Sequence, residues 1–185
     1  MMRGMLSVPL AGGVVPPLNH SRRAHLADAA IRVLATYGGR GFTHRAVDSE
    51  AGEPIGTTSR YFRTRDSLFS AVAQRVREIH FSDLESDAPL PVIEDMALAQ
   101  NRLRHLAMAE LFLEGTRNPD LRRELTAIRR AQIDLVEKRF PDLSRIEIEN
   151  LVCVITGRVF IGLTTPEAFI VEPNRMESIE SQGKS

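Results

Sequence analysis

Apolar residues recur at spacings of three and four along most of this 185-residue chain, and nowhere do they alternate with period two over a strand's length. That pattern leaves no sheet and predicts an all-α protein. Caps and breakers divide it. Ser21 opens a first helix whose stripe is Leu26, Ala30, Val33, Leu34 and Tyr37, and Gly38-Gly39 stops it. Thr43 caps a short second helix with Ala46, Val47 and Ala51 on its apolar side, and Gly52 ends it. A tight turn through Glu53-Pro54 leads to a third helix over residues 55–62. Thr64 caps a long fourth, where Leu68, Phe69, Val72, Val76 and Ile79 hold helical period to about Leu84. Residues 87–91 (DAPLP) read as a linker. Three longer segments follow over roughly 93–116, 120–140 and 144–163, punctuated by Asn118-Pro119 and Pro141. Thr165-Pro166 opens a last short helix toward Ile179.

Size permits one ordinary domain or two small ones. The total charge is zero, but its distribution is uneven. Residues 21–65 hold eight Arg (22, 23, 32, 40, 45, 60, 63, 65) against Asp28, Asp48, Glu50 and Glu53, a net of +4. Residues 86–185 hold thirteen Lys/Arg against sixteen acids, a net of −3. A basic front and an acidic rear suit a front that meets polyanions. The single cysteine, Cys153, excludes an internal disulfide and a Cys-rich metal site. Residues 1–20, broken by Gly-Gly and Pro-Pro, read as a disordered lead and not as a signal sequence, and no apolar stretch matches the ~20 residues of a spanning helix. A cytoplasmic protein without a membrane partner is expected.

Two short helices joined by a tight turn and followed by a long helix make a helix-turn-helix unit, whose second helix enters the DNA major groove. Wound at about 100° per residue, the third helix places Ile55, Thr58 and Phe62 on an inner side, to pack under the first helix. Gly56, Thr57, Arg60 and Tyr61 fall on the outer side. Arg60 suits a guanine edge, Thr57 a base or a thymine methyl, and Tyr61 a phosphate. Gly56 permits close backbone approach. Thr43 and Arg45 open the second helix and Arg65 the fourth, where a helix N-terminus already favours phosphate.

The stretch Thr43-His-Arg-Ala-Val-Asp-Ser-Glu-Ala-Gly-Glu-Pro-Ile-Gly-Thr-Thr-Ser-Arg-Tyr-Phe-Arg-Thr-Arg-Asp66 resembles the DNA-binding signature of the TetR/AcrR family of bacterial transcriptional regulators. The resemblance covers residues 21–65; the later Glu110-Leu-Phe-Leu-Glu-Gly-Thr-Arg-Asn-Pro-Asp120 is similar to the family's regulatory domains. It implies an N-terminal three-helix head joined by the long fourth helix to a helical ligand-binding and dimerisation domain. On that division residues 1–20 are the lead, 21–65 the DNA-binding domain and 66–185 the rest. It further implies a homodimer on a palindromic operator, released by a small-molecule effector, and usually repression. Carried over position by position, the DNA contacts fall on Thr43, Arg45, Pro54, Gly56, Thr57, Ser59, Arg60, Tyr61 and Arg65. Three residues depart from the family pattern. Glu53 stands where an apolar residue is common, Pro54 replaces a Ser/Thr cap, and Ile55 replaces a frequent Lys. Affinity then leans on Arg45, Arg60 and Arg65.

For dimerisation the favoured segment is 144–163 with whatever follows Pro166. Leu151, Val154, Ile155, Val159 and Ile161 give a broad apolar face, and Cys153 and Gly157 are small enough for close helix approach. For sensing, residues 93–140 are rich in Leu and Met, and Asn101, His105, Met108, Glu110 and Phe112 are the candidate ligand contacts. So short a rear half leaves little room for a large cavity. An enzyme is not expected, nor a cofactor or metal. Gly38-Gly39-Arg40-Gly41 lacks the Lys-Ser/Thr ending of a phosphate loop and follows a helix. No His-Glu-x-x-His occurs, and Cys153 lies in an apolar run that disfavours a thiolate. The rival reading is a helical small-molecule-binding or enzymatic protein without DNA binding. What separates the two is whether the face bearing Thr57, Arg60 and Tyr61 is buried against the rear.

Overall fold

A computed structural model describes residues 19–85 and 101–165. Residues 1–18 of the lead, the 87–91 linker, the start of the 93–116 segment and the helix expected after Pro166 lie outside the described residues, while Asn19 and His20, assigned to the disordered lead, belong to the start of the first helix. Within them the chain is helical: α1 (His20–Gly41), α2 (His44–Glu50), α3 (Thr57–Tyr61), α4 (Arg65–Leu84), α5 (Arg102–Gly115), α6 (Pro119–Arg139) and α7 (Arg145–Thr164).

The helix starts follow from side chains that satisfy the free amides of a first turn. Thr43 accepts from Ala46 N–H, and Thr64 and Ser144 each form a reciprocal box with the residue three positions on, Ser67 and Glu147. Asn118 accepts from the amides of Asp120 and Leu121 and puts Pro119 at the first helical position. Two boundaries differ from expectation. Asn19, not Ser21, caps α1, accepting from Ser21 N–H at 2.9 Å. Gly38, at φ +61°, kinks α1 instead of ending it, and the helix resumes to Gly41. Tyr37, assigned to the apolar stripe, lies just before that kink and is 63% exposed.

Leu26, Ala30, Val33 and Leu34 of α1 bury against Val47, Phe62, Leu68 and Val72, with Phe42 and Phe69 in contact at a ring separation of 4.8 Å. The same core continues without a break to Ala107 and Leu111 of α5 and Leu121 of α6. A second cluster joins Leu84, Ile133, Val136, Ile148 and Val152, and a third joins Val159 and Leu163 to Leu106 and Ile155. Head and rear thus share one packed layer, with α5 lying against α1. Among the described residues no helix is long and apolar enough to cross a membrane.

Candidate functional site

The head's outer face is built around one buried carboxylate. Asp48, in the middle of α2, is 1% exposed. Its Oδ2 accepts from Gly56 N–H at 2.7 Å. Its Oδ1 accepts from Thr58 N–H at 2.7 Å and from the Thr58 hydroxyl at 2.5 Å. Three hydrogen bonds to a charged acceptor fix the start of α3 and the angle between the two short helices. His44 and His25 tie the other ends: His44 Nε2 lies 2.6 Å from Phe62 O, and His25 Nε2 lies 2.9 Å from Ala51 O. None of these three residues stood among the candidates. A carboxylate beside the Val47/Ala51 stripe was the available signal for Asp48.

The turn is longer than expected. Gly56 takes φ +93° and caps α3, so the reason for glycine here is the left-handed backbone, not close approach. Ile55 consequently lies in the turn ahead of the helix and is 76% exposed, where an inward position was expected. Thr58 and Phe62 do face in, both buried. Ser59, Arg60 and Pro54 are exposed, and Thr57, Gly56 and Tyr61 are half-buried. Thr57 and Ser59 donate their hydroxyls back to the carbonyls of Pro54 and Gly56, at 2.7 and 2.9 Å. Tyr61 rests on the core, its carbonyl receiving Arg23 at 3.3 Å. Thr43 and Arg45 are exposed at the start of α2. The face that separates the two readings points to solvent.

Charge on this head is sorted by pairing. Glu53, the departure in the turn, holds Arg22, and that hydrogen bond keeps its carboxyl below the usual range. Glu50 pairs with Arg32 at 2.5 Å and Asp28 with Arg75 at 2.6 Å. With Asp48 buried, every acid of residues 21–65 is engaged. Arg23 stacks over Phe62, its guanidinium carbon 4.6 Å from the ring centre. Arg65, expected among the DNA contacts, turns its side chain back onto the head. Its guanidinium donates to Phe42 O at 2.9 Å and Gly39 O at 2.5 Å, and lies over Phe69. Arg40, Arg45, Arg60 and Arg63 are exposed and have no hydrogen-bond or ion-pair partner among the described residues.

A second site lies in the rear. A cavity of about 60 Å³ sits between His80 of α4, His105, Met108, Ala109 and Phe112 of α5, Gln132 of α6, and Ile155, Thr156, Val159, Phe160 and Leu163 of α7. His105, Met108 and Phe112 recur at helical spacing and share the face that lines it. Two other candidates do not. Asn101 caps α5 through its backbone, its carbonyl receiving His105 N–H at 3.2 Å. Glu110 points to the opposite side, where its Oε2 accepts from Gly39 N–H at the α1 kink at 3.0 Å. Burial, reinforced by the Arg104 guanidinium, pushes His80 and His105 each down to about 4, so both imidazoles are neutral at pH 7. Gln132 Nε2 lies 2.9 Å from His80 Nε2. Buried Arg104 pairs with Asp83 at 2.7 Å.

The expected dimer face of α7 is divided. Val159 is buried and Ile155 lines the cavity, while Val154 and Ile161 are exposed with Ile146 and Phe160. Cys153, expected in apolar surroundings, is exposed with Arg129 donating to its sulfur at 3.1 Å.

The sequence matches the family described as Tetracyclin repressor-like, C-terminal domain, over residues 86–180. No curated protein matches it significantly. Among solved structures, a TetR-family member (SCO1917) from Streptomyces coelicolor A3 is 27% identical, covering 80% of this chain and 91% of its own, at a TM-score of 0.67. The multidrug binding protein EbrR complexed with ethidium is also 27% identical, with coverages of 80% and 91% and a TM-score of 0.65. A transcriptional regulator from Rhodococcus sp. Rha1 shares the fold at 20% identity, with coverages of 78% and 85% and a TM-score of 0.60. The family match spans half of the sequence and the likeness in fold runs from the head to the rear helices, so this chain belongs to the TetR family of transcriptional regulators.

Proposed function

We propose that the chain is a homodimeric, ligand-responsive DNA-binding regulator, acting as a repressor, and not an enzyme. The observation that carries this reading is the outer face of the head. Arg45 and Arg60 stand exposed and unpaired there, Arg40 and Arg63 of the same head are exposed and unpaired too, and the acids of residues 21–65 are engaged. Arg60 reads a base edge from α3, beside Thr57 and Ser59. Arg45 with Thr43 approaches from α2, and Pro54, Ile55 and Gly56 bring the turn to the backbone. Tyr61 supplies a phosphate contact. Arg65 contributes through the amide end of α4, since its side chain is held by Gly39 and Phe42.

Support for a dimer is the solvent face of α7. Ile146, Val154 and Ile161 line it, with Cys153 and Gly157 leaving room for a second helix. Two copies joined there place two heads on one side of a duplex, about 34–36 Å apart or a multiple of that. A small-molecule effector binds the rear cavity, a reading favoured by the ethidium complex of EbrR. Coupling runs through α5, whose one face lines the cavity and whose other holds the α1 kink through Glu110 and Gly39.

The test is selection of bound duplexes from a random pool, followed by release with a metabolite panel. Enrichment of a two-fold-symmetric sequence, with release by one compound, is the expected result. No enrichment, together with no retention on heparin at low salt, returns the protein to the rival class of helical binders without DNA.

A further inference from the structure

The rear cavity has a chemistry of its own, and its occupant can be narrowed on the reading that this chain senses a small molecule. Its walls are mostly apolar, with Met108, Phe112 and Phe160 among them, and among the described residues no Asp, Glu, Lys or Arg side chain lines it. The polar groups it does present are His80, His105, Gln132 and Thr156. Three of these are accounted for. Gln132 and His80 bond each other, and the Thr156 hydroxyl donates to Val152 O at 2.7 Å. His105 is different: it is 9% exposed, lines the cavity, and its Nε2 has no hydrogen-bond partner among the described residues. An orphaned ring nitrogen at the wall of an apolar cavity is a costly arrangement unless a guest completes it.

The charge behind that wall decides which guest. Arg104, neighbour of His105 on α5, is buried and pairs with Asp83, and both of these charges act on His80 and His105. Both imidazoles are neutral at pH 7, held so by burial and by that guanidinium. A lipophilic cation entering here meets no carboxylate on the cavity wall, the nearby Asp83 charge being held by Arg104. A neutral guest leaves no unpaired charge in the cavity, and an anionic one offsets part of its desolvation through the hydrogen bond it gains.

We propose that the cavity takes a small apolar molecule with one hydrogen-bond acceptor, a weak acid such as an aromatic carboxylic acid or a phenol. Its head group is received by His105 Nε2–H and its body lies between Met108, Phe112 and Phe160. The same site rejects lipophilic cations. The size excludes a large guest: about 60 Å³ is far below the roughly 300–1,000 Å³ of a drug-sized site. A single ring enters by displacing Phe112 and Phe160, which both line the cavity and are about half exposed.

The experiment is calorimetric titration of the full chain with benzoate, phenol, ethidium and proflavin. It is repeated on His105→Asn and Thr156→Glu, with thermal melts to check folding. The expected result is binding of benzoate or phenol, weakened at least about tenfold in H105N, with neither dye bound by the parent. T156E, which sets a carboxylate on the wall, reverses the preference toward the dyes. The proposal is overturned if the parent binds either dye, whether or not H105N loses it; the sensor reading then survives with another ligand class. It is equally overturned if H105N folds and binds benzoate and phenol unchanged, or if no probe binds the parent. In the last case the sensor reading is decided separately by whether any metabolite releases the selected duplex.

Discussion

Replacing Asp48 with alanine tests whether the recognition helix is held in place by a single buried group. The change strips the acceptor from Gly56 N–H, Thr58 N–H and the Thr58 hydroxyl, all bonded at 2.5–2.7 Å. The hydroxyl can turn to another partner, but the two amides cannot. Each orphaned buried donor costs about 1–3 kcal/mol, so the loss is about 2–6 kcal/mol. For a chain of this length each kcal/mol moves the melting temperature by roughly 2–4 °C, and the midpoint should fall on the order of 10 °C. Asp48→Asn is the informative intermediate. It keeps one oxygen for Thr58 and turns an NH₂ toward the Gly56 amide, so its loss is about 1–3 kcal/mol. Circular-dichroism melts give the stability term, and fluorescence anisotropy on a selected duplex gives the functional one. Duplex affinity should fall further than the folded fraction at the assay temperature accounts for, because α3 loses its orientation while α1 and α4 still pack. If D48A melts with the parent and grips the duplex equally well, the carboxylate does not organise the head.

Gly56→Ala meets little steric opposition, the nearest atom to an added Cβ being Ser59 Oγ at 4.0 Å. Its cost is conformational, about 1–2 kcal/mol from the positive φ, read in urea melts. Arg65→Ala should cost stability, about 1–3 kcal/mol, yet leave the slope of log affinity against log salt nearly unchanged; a slope flattened by about one would return its guanidinium to phosphate. Glu110→Ala should leave duplex binding intact while shrinking the effect of an effector, normally about 5–150-fold, toward none. Acid should weaken the fold through His80 and His105. Both sit at about 4 in the native state against an ordinary 6.5, so the unfolded chain binds more protons between those values. Their contribution is whole above pH 6.5 and is lost as pH falls toward 4, by up to about 1.4 kcal/mol per pH unit for each ring. H105N should flatten that limb in denaturation curves taken across pH.

The parts legible in the sequence were those set by local rules. Thr43 and Thr64 announce their helices because a hydroxyl ahead of an apolar period has one obvious use. The outward position of Arg60 followed from periodicity alone. Ile55 did not, because a glycine at positive φ lengthened the turn by a step that no periodicity reports. Arg65 and Glu110 look like surface charges in a string of letters. Their partners, the carbonyls and amide of the Gly39–Phe42 segment, are backbone groups freed by the kink at Gly38, and backbone groups leave no trace in side-chain patterns. On α5 small and apolar residues surround the helix, so sequence named Glu110 and His105 alike as cavity residues. Only the packing of α1 on one side and α7 on the other separates them. The cavity's remaining partners, His80 and Gln132, come from helices far apart in the chain.

The most direct test is the duplex affinity of an Arg45→Ala/Arg60→Ala variant, measured on the selected operator with a scrambled duplex as control. Neither side chain has a partner within the described protein, so the melting temperature should stay where it is. Operator affinity should fall about thirtyfold or more, from two contacts worth about 1–3 kcal/mol each, and the gap between operator and scrambled duplex should narrow. An operator affinity that survives both substitutions would mean that this face of the head does not read DNA.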